Sequence, residues 1–253
     1  MRIDNPKKEQ FPALRALWRE AFGDSEEFLN LFEKNAFSPD RCRCVTLDGQ
    51  TVAALYWFGC ICHGEKAAYL YAVATAKSQR GQGLCAALMR DTHEQLRSLG
   101  YTRTLLVPST TSLFAFYGKL GYQAFGGIDE FSAAASTEGM ELWRVGIDEY
   151  ARRRRSLLPA GSVIQEKENL YFLQAQAELY ATEDLLLAAR REGECLLGIE
   201  LLGKPAAAPR ILRTLECREG RFRVPGNQKP FAMWLPLSHS NLAPPTYFGL
   251  AFD

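Results

Sequence analysis

One stretch restricts the possible folds more than any other. Tyr69-Leu70-Tyr71-Ala72-Val73-Ala74-Thr75 is apolar, β-branched and aromatic, the pattern of a strand. A polar turn follows, and Arg80-Gly81-Gln82-Gly83 then opens into Leu84-Cys85-Ala86-Ala87-Leu88-Met89. Leu84, Ala87, Leu88, Leu96 and Leu99 recur at helical spacing, so the segment is strand, glycine turn, helix. The start of a helix leaves backbone N–H groups unpaired and carries partial positive charge, which attracts anions. Gly81 and Gly83 let the backbone approach a ligand because no Cβ stands in the way. Together these features make a cradle suited to a pyrophosphate; the other reading of R-G-x-G alone is a tight strand-to-helix turn. Arg80 either adds a charge-assisted contact or braces the loop.

Two other glycine-rich classes do not fit. The chain has no G-x-x-x-x-G-K-[S/T], so this is not a P-loop. The third position after Gly83 is Ala86, and the preceding chain is strand-rich rather than βαβ, which argues against a dinucleotide fold.

A second motif lies downstream. Thr104-Leu105-Leu106-Val107 has a strand pattern, Ser109-Thr110-Thr111 makes a helix start, and the run Ser112 to Tyr122 contains Phe116-Tyr117-Gly118-Lys119-Leu120-Gly121-Tyr122. From here the sequence resembles the GNAT superfamily of acyl-CoA N-acyltransferases: a strand, R-G-Q-G-L, a helix of about five turns, a strand, and a short helix ending F-Y-G-K-L-G-Y. The resemblance covers roughly residues 10 to 130. It implies a mixed, mostly antiparallel central sheet flanked by helices, of α/β (α+β) class. It implies acetyl-CoA as the cofactor, with its pyrophosphate on Gln79, Arg80, Gly81, Gln82, Gly83 and Leu84. The strand over 66–75 would splay from that over 103–107, and the backbones of Ala74 and Thr75 would line the slot for the pantetheine arm. A backbone N–H there would polarise the thioester carbonyl. Tyr117 would protonate the departing thiolate; the competing role for it is a core aromatic. Ser78 departs from the family's pattern, which often has Gln or Arg three residues before the first glycine.

The activity so implied is N-acetyl transfer to a primary amine, borne by a small molecule or a peptide. A non-catalytic acyl-CoA-binding module of the same fold is the alternative. The phenol of Tyr117 titrates near 10 unperturbed and can donate at neutral pH. For the base, Tyr69, Tyr71, Glu65 and the terminal Asp253 are all open, with water as relay. His63 and His93 are also available, but His93 falls midway along a helix that should cover the sheet. Cys85 sits at a helix start, where a thiol pKa can fall, yet is expected as a small residue under the cofactor rather than a nucleophile, because direct transfer needs no acyl-enzyme. Some tandem members of the family place a terminal carboxylate in the active site, a role open to Asp253; the other reading is a structural edge strand.

At 253 residues and 47% hydrophobic content the chain can form one to two domains. A net charge of +1 gives no global case for nucleic acid or a membrane surface. No apolar run reaches the length of a membrane span, and Met1 to Lys8 lack the apolar core of a signal peptide, so a cytoplasmic protein is expected. Seven scattered cysteines are expected as reduced thiols. A hairpin turn at Asp48-Gly49 would set Cys42 and Cys44 opposite positions near 55 and 53, away from Cys60 and Cys62, so no metal site is expected.

Along the chain, helices are expected over 9–22 and 28–37, the second starting at Asp24-Ser25-Glu26-Glu27, and strands over 41–47, 51–61 and 66–75. By the resemblance, the two helices flank the acceptor groove. Tyr122-Gln123-Ala124-Phe125 and Glu141 to Val145 are expected as a closing hairpin, ending a first domain over 1–145. The second, 146–253, is expected as a smaller α+β domain, a degenerate GNAT-like copy without its own CoA motif. Its expected elements are a helix over 146–158, a helix from Ala175 to Arg191, and strands over 195–202, 211–217, 231–235 and 246–253. Arg152 to Arg155 are expected as a solvated helix end or linker.

Overall fold

The computed structural model describes residues 1–238 and 242–252. The chain divides into two compact units, Met1–Gln123 with Met233–Leu242, and Ala124–Ala232 with Ala243–Asp253. The single cut expected at 145/146 is not where the fold divides. The strand after the Tyr117 helix runs on into the second unit, and Met233–Pro236 returns to pair in the first.

In the first unit β1 (Arg2–Asp4) precedes α1 (Phe11–Phe22) and α2 (Glu26–Asn35). Gly23, at φ 75°, ends α1, and Ser25 Oγ accepts the Phe28 amide hydrogen to cap α2. Next come β2 (Cys42–Leu47), β3 (Gln50–Cys62) and β4 (Glu65–Thr75). The turns are Asp48-Gly49 and His63-Gly64, each with both residues at positive φ, the two-residue geometry that suits twisted hairpins. Then follow α3 (Leu84–Ser98), β5 (Arg103–Leu106) and α4 (Thr111–Lys119). The strands lie in the order β1-β2-β3-β4-β5, with Met233–Pro236 antiparallel on the far side of β5; only β4 and β5 run parallel.

Strand alternation sorts the two faces. Leu55, Trp57, Ala68 and Leu70 meet Leu84, Leu88 and Leu96 of α3 in one buried cluster. Tyr56, Phe58, Tyr69 and Tyr71 point the other way, where Trp18 of α1 and Phe32 of α2 pack edge-on and tilted against them. Leu99 lies past the end of α3 and is exposed, contrary to its expected place on the buried face. The β2–β3 register is one residue off the expected one. Cys42 faces Tyr56 and Cys44 faces Ala54, because a bulge between Val45 and Thr46 inserts Val52 into β3. Cys60 and Cys62 pair with Ala67 and Glu65 of β4.

The second unit holds β6 (Gln123–Ala134), β7 (Trp143–Arg144), α5 (Ile147–Leu157), the short β8 (Ile164–Gln165), α6 (Glu168–Gln174), β9 (Glu178–Ala181), β10 (Leu186–Glu192) and β11 (Cys195–Leu202). It continues with α7 (Ala208–Thr214), β12 (Glu219–Gly226) and β13 (Lys229–Pro236). β10 and β11 are antiparallel, β11 and β12 parallel across α7, the same succession as β3, β4, α3 and β5.

Several expectations fail here for identifiable reasons. The hairpin of 122–125 with 141–145 does not form: β6 pairs with β12, and β7 with β9. Gly126 and Gly127 do not end β6; a Cβ at either would meet backbone of Thr246 or Asn227 at under 3 Å, so they admit close chain approach. The expected 175–191 helix starts at the C-cap of α6, Ala175, and is otherwise a β9–β10 pair. Its Ala and Leu residues are buried from Leu186 to Ala189 between strands on both sides, and that burial outweighs a helix propensity of a few tenths of a kcal/mol per residue. Conversely, 211–217 is mostly helix α7, because Ala208, Ile211 and Leu212 fall on one buried face at helical spacing. Residues 246–252 are docked without forming a strand. Val163 donates to the Tyr247 carbonyl at 2.9 Å, the Gln165 amide clamps Leu250, and Phe252 packs edge-on against Phe172.

The arginine run is not uniformly solvated. Arg152 and Arg153 pair with Glu149 and Arg155 with Glu166, but Arg154 is 1% exposed and bonds bidentately to the fully buried Glu200. Tyr150 and Tyr247 donate to the same carboxylate at 3.3 and 3.1 Å. Gly249 makes room, since a Cβ there would overlap the Glu200 carboxylate and the Tyr247 hydroxyl. A second buried polar knot sits in the first unit. Tyr122 Oη lies 2.8 Å from both Thr104 Oγ1 and His93 Nε2. Burial, with Arg97 adding to it, pulls the His93 pKa down to about 4.

Both knots give stability predictions. Removing one partner of a buried ion pair strands the other, so Arg154→Met is expected to destabilise the chain by about 3–5 kcal/mol in urea unfolding, and Arg154→Met with Glu200→Leu to recover most of it; equal stability of the single variant and wild type would refute this. His93 binds its proton more weakly folded than unfolded, so its contribution is full above pH ~6.5 and fades as pH falls towards 4. The stability difference between wild type and His93→Gln should be flat above neutrality and shrink by on the order of 3 kcal/mol across that window. Parallel curves would show that the ring is not the titrating group.

Candidate active site

The turn that leads into α3 leaves its backbone donors open. Gly81 and Gly83 sit at φ 79° and 76°, conformations that cost an L-residue about 1–2 kcal/mol, and a Cβ at either would meet nothing within 4 Å. The first helical bond of α3 runs from the Ala87 amide to the Gly83 carbonyl, and no side chain caps the helix. Among the described residues, the six amides of Gly81 to Ala86 have no hydrogen-bond acceptor. Arg80 braces: its Nε donates to the Thr75 carbonyl at 3.1 Å, and Gln82 Nε2 donates to Gln79 Oε1 at 3.1 Å. These bonds tie the end of β4 to the loop and hold the amides outward. Lys77, in the short 3-10 turn Lys77–Gln79, donates its amide to the Glu20 carboxylate of α1 at 3.4 Å.

β4 and β5 pair only over Ala67↔Arg103, Ala68↔Thr104 and Tyr69↔Leu105. β4 then continues to Thr75, while β5 stops at Leu106. Past Tyr69 the edge of β4 that faced β5 is without that neighbour, a splay next to the glycine turn, with Ala74 and Thr75 at its end. A feature that the sequence pattern does not reveal coincides with it. Ala54 faces Ala74 but Tyr56 faces Tyr71, so Ala72 and Val73 both oppose Leu55. This bulge puts Ala72 at φ 47°, a left-handed alanine within a strand.

Tyr117 and Tyr122 are both buried, with rings 5.8 Å apart, yet their hydroxyls differ. Tyr122 is committed to Thr104 and His93. The Tyr117 hydroxyl makes no hydrogen bond to any described residue. Burial raises its pKa well above the usual tyrosine value, with the nearby Cys85 adding to the shift, so the phenol stays protonated. The same burial pushes the Cys85 thiol up to about 11, which removes it as a thiolate nucleophile at neutral pH.

The structure separates the base candidates. Glu65 lies at the opposite end of β4 from Thr75, hydrogen-bonded to Arg103 at 2.9 Å and to Thr102, and these bonds hold it below the usual carboxylate range. His63 is in the same remote turn. Tyr69 is buried against Phe58, and Tyr71 is half-buried beside Trp18 and Phe32. Asp253 lies outside the described residues. The aromatic face formed with α1 and α2 was visible in sequence only as the helical spacing of Trp18, Phe22, Phe28 and Phe32.

A family model described as an acetyltransferase (GNAT) domain matches residues 2–125. No curated protein matches the chain. Among solved structures, it is similar to a GCN5-related N-acetyltransferase from Kribbella flavida, with 20% identity over 93% of this chain and 72% of that one and a TM-score of 0.71. It is also similar to Eis1 from Mycobacterium abscessus, at 10% identity over 94% and 74% with a TM-score of 0.67. A tandem GNAT protein from the clavulanic acid biosynthesis pathway aligns at 13% identity over 95% of this chain and all of that one, with a TM-score of 0.57. At such identities the likeness is one of fold, and it extends beyond the matched segment into the second unit. The open glycine turn, the splayed parallel pair and the matched family agree: residues 2–125 are a GNAT acetyltransferase domain.

Proposed function

We propose that the first unit is an N-acetyltransferase that takes the acetyl group of acetyl-CoA directly to a primary amine on a small molecule or peptide. The observation that carries this reading is the run of six open amides, Gly81 to Ala86, at the start of α3 beside the β4–β5 splay. Convergent N–H groups at a helix start fit a pyrophosphate, and the left-handed glycines leave space for one to approach. When bound there, acetyl-CoA supplies an activated thioester. Gln79, Arg80, Gly81, Gln82, Gly83 and Leu84 would hold its pyrophosphate, and the backbone of Ala74 and Thr75 would line the arm.

Tyr117 serves in this reading as the proton donor to the leaving sulfur. A buried phenol whose pKa lies above its usual value gives up a proton only to a group of comparable basicity. Desolvation supplies the match, because the environment that raises the phenol also raises a thiol beside it, as Cys85 shows. Unlike Tyr122, its hydroxyl has no partner among the described residues to lose when it turns to a ligand. Tyr71, half-buried on the aromatic face, is the candidate among the described residues to relay the amine proton to water, and the terminal Asp253 stays open for the same role.

The test is release of free thiol from acetyl-CoA across an amine panel. Tyr117→Phe is expected to lower kcat by about 10²–10⁴-fold with acetyl-CoA binding retained. Gly83→Glu should abolish that binding, whereas Gly83→Ala, which adds only backbone strain, should weaken it. Binding of acetyl-CoA with no amine turned over, and no effect of Tyr117→Phe, would instead favour a non-catalytic acyl-CoA-binding module.

A further inference from the structure

The second unit contains its own splayed parallel pair. β11 and β12 pair from Cys195↔Glu219 to Gly198↔Phe222, where the register ends, although β11 runs on to Leu202 and β12 to Gly226. One face of the pair is closed by α7, with Leu196 and Phe222 packed in a cluster with Ile211 and Leu212. The other face opens into a cleft of about 480 Å³.

Register aligns the side chains on that open face. Arg190 of β10 faces Leu197, Leu197 lies beside Arg221, and Arg221 faces Ser132 of β6; two residues further on, Arg223 faces Glu130. Leu173 of α6 and Phe252 of the docked tail, both buried, wall the cleft with apolar surface. The charge is one-sided. Among the described residues, Arg190, Arg221, Arg223 and Lys229 line the cleft with one carboxylate, Glu130. Glu130 is already engaged by Lys229 and Arg223. Arg190 has Glu192 at 2.9 Å, a half-exposed pair of little strength. The Arg221 side chain makes no hydrogen bond or ion pair with any described residue.

We propose that this cleft binds a small amphipathic organic anion. Its carboxylate or phosphate head would sit on Arg221 and Arg190, and its apolar body against Leu197, Leu173 and Phe252. A guanidinium fork matches either head in bidentate fashion, and a concave, largely apolar wall with a few convergent charges is the usual form of a small-molecule site. The inference is independent of the chemistry assigned to the first unit, since every residue it uses lies in the second.

Isothermal titration of the full chain with octanoate, octyl phosphate and octyltrimethylammonium tests it. One equivalent of at least one octyl anion is expected to bind and the cation not at all, with the better anion identifying the head group. Arg221→Ser should weaken binding about tenfold without changing Tm, because that side chain has no partner among the described residues. Leu197→Glu, which places a carboxylate on the floor, should abolish it, while Gly83→Glu in the first unit should leave it intact. Unchanged affinity in Arg221→Ser, loss of binding in Gly83→Glu, or no binding by either anion would overturn the proposal.

Discussion

The first unit depends on a parallel strand pair that is allowed to come apart. A continuous β4–β5 ladder would satisfy the backbone past Tyr69 and leave no slot. Pairing instead stops at Tyr69↔Leu105, and the left-handed Ala72 turns β4 at that point. The unpaired backbone of β4 and the uncapped amides of α3 are then adjacent along the chain, joined by a turn that Arg80 ties back to Thr75. Open donors of this kind are costly when buried and tolerable only where water or a ligand reaches them. The fold thus brings the open donors of the helix start beside the unpaired edge of β4.

The two phenols of F-Y-G-K-L-G-Y show how packing separates roles that composition cannot. Both rings are buried in the same cluster. Tyr122 is locked by Thr104 from β5 and His93 from α3, and so fastens the helix to the sheet. The Tyr117 side chain is held by packing contacts, which fixes its position and leaves its hydroxyl without a partner among the described residues. A fixed donor without a protein partner is the arrangement that proton delivery to a ligand requires.

The second unit repeats the strand–helix–strand succession of the first but not the glycine turn. Its integrity rests on a buried charge cluster in which one carboxylate, Glu200, receives Arg154, Tyr150 and Tyr247. Such a cluster adds little net stability compared with an apolar replacement, yet it holds α5, β11 and the C-terminal segment in one arrangement. That same segment contributes Phe252 to the wall of the cleft.

Local rules were enough for the elements that carry strong local signals. The paired turns at Asp48-Gly49 and His63-Gly64, the Ser25 and Thr110 caps, and the strand–glycine turn–helix over 69–98 follow from residue chemistry alone, because a positive φ or a cap is a property of a few adjacent residues. The tertiary structure decided whatever depends on a distant partner. It made strands of 178–192 against their helix propensity, turned one arginine of an apparently solvated run into a core ion, and sent Met233–Pro236 back to β5 across more than half the chain. It also placed the splay and its bulge, since register is a relation between strands and no single strand encodes it. The cradle was therefore legible from residues 79–84 themselves. The slot beside it, the free hydroxyl of Tyr117 and the cationic cleft of the second unit exist only once remote segments have met.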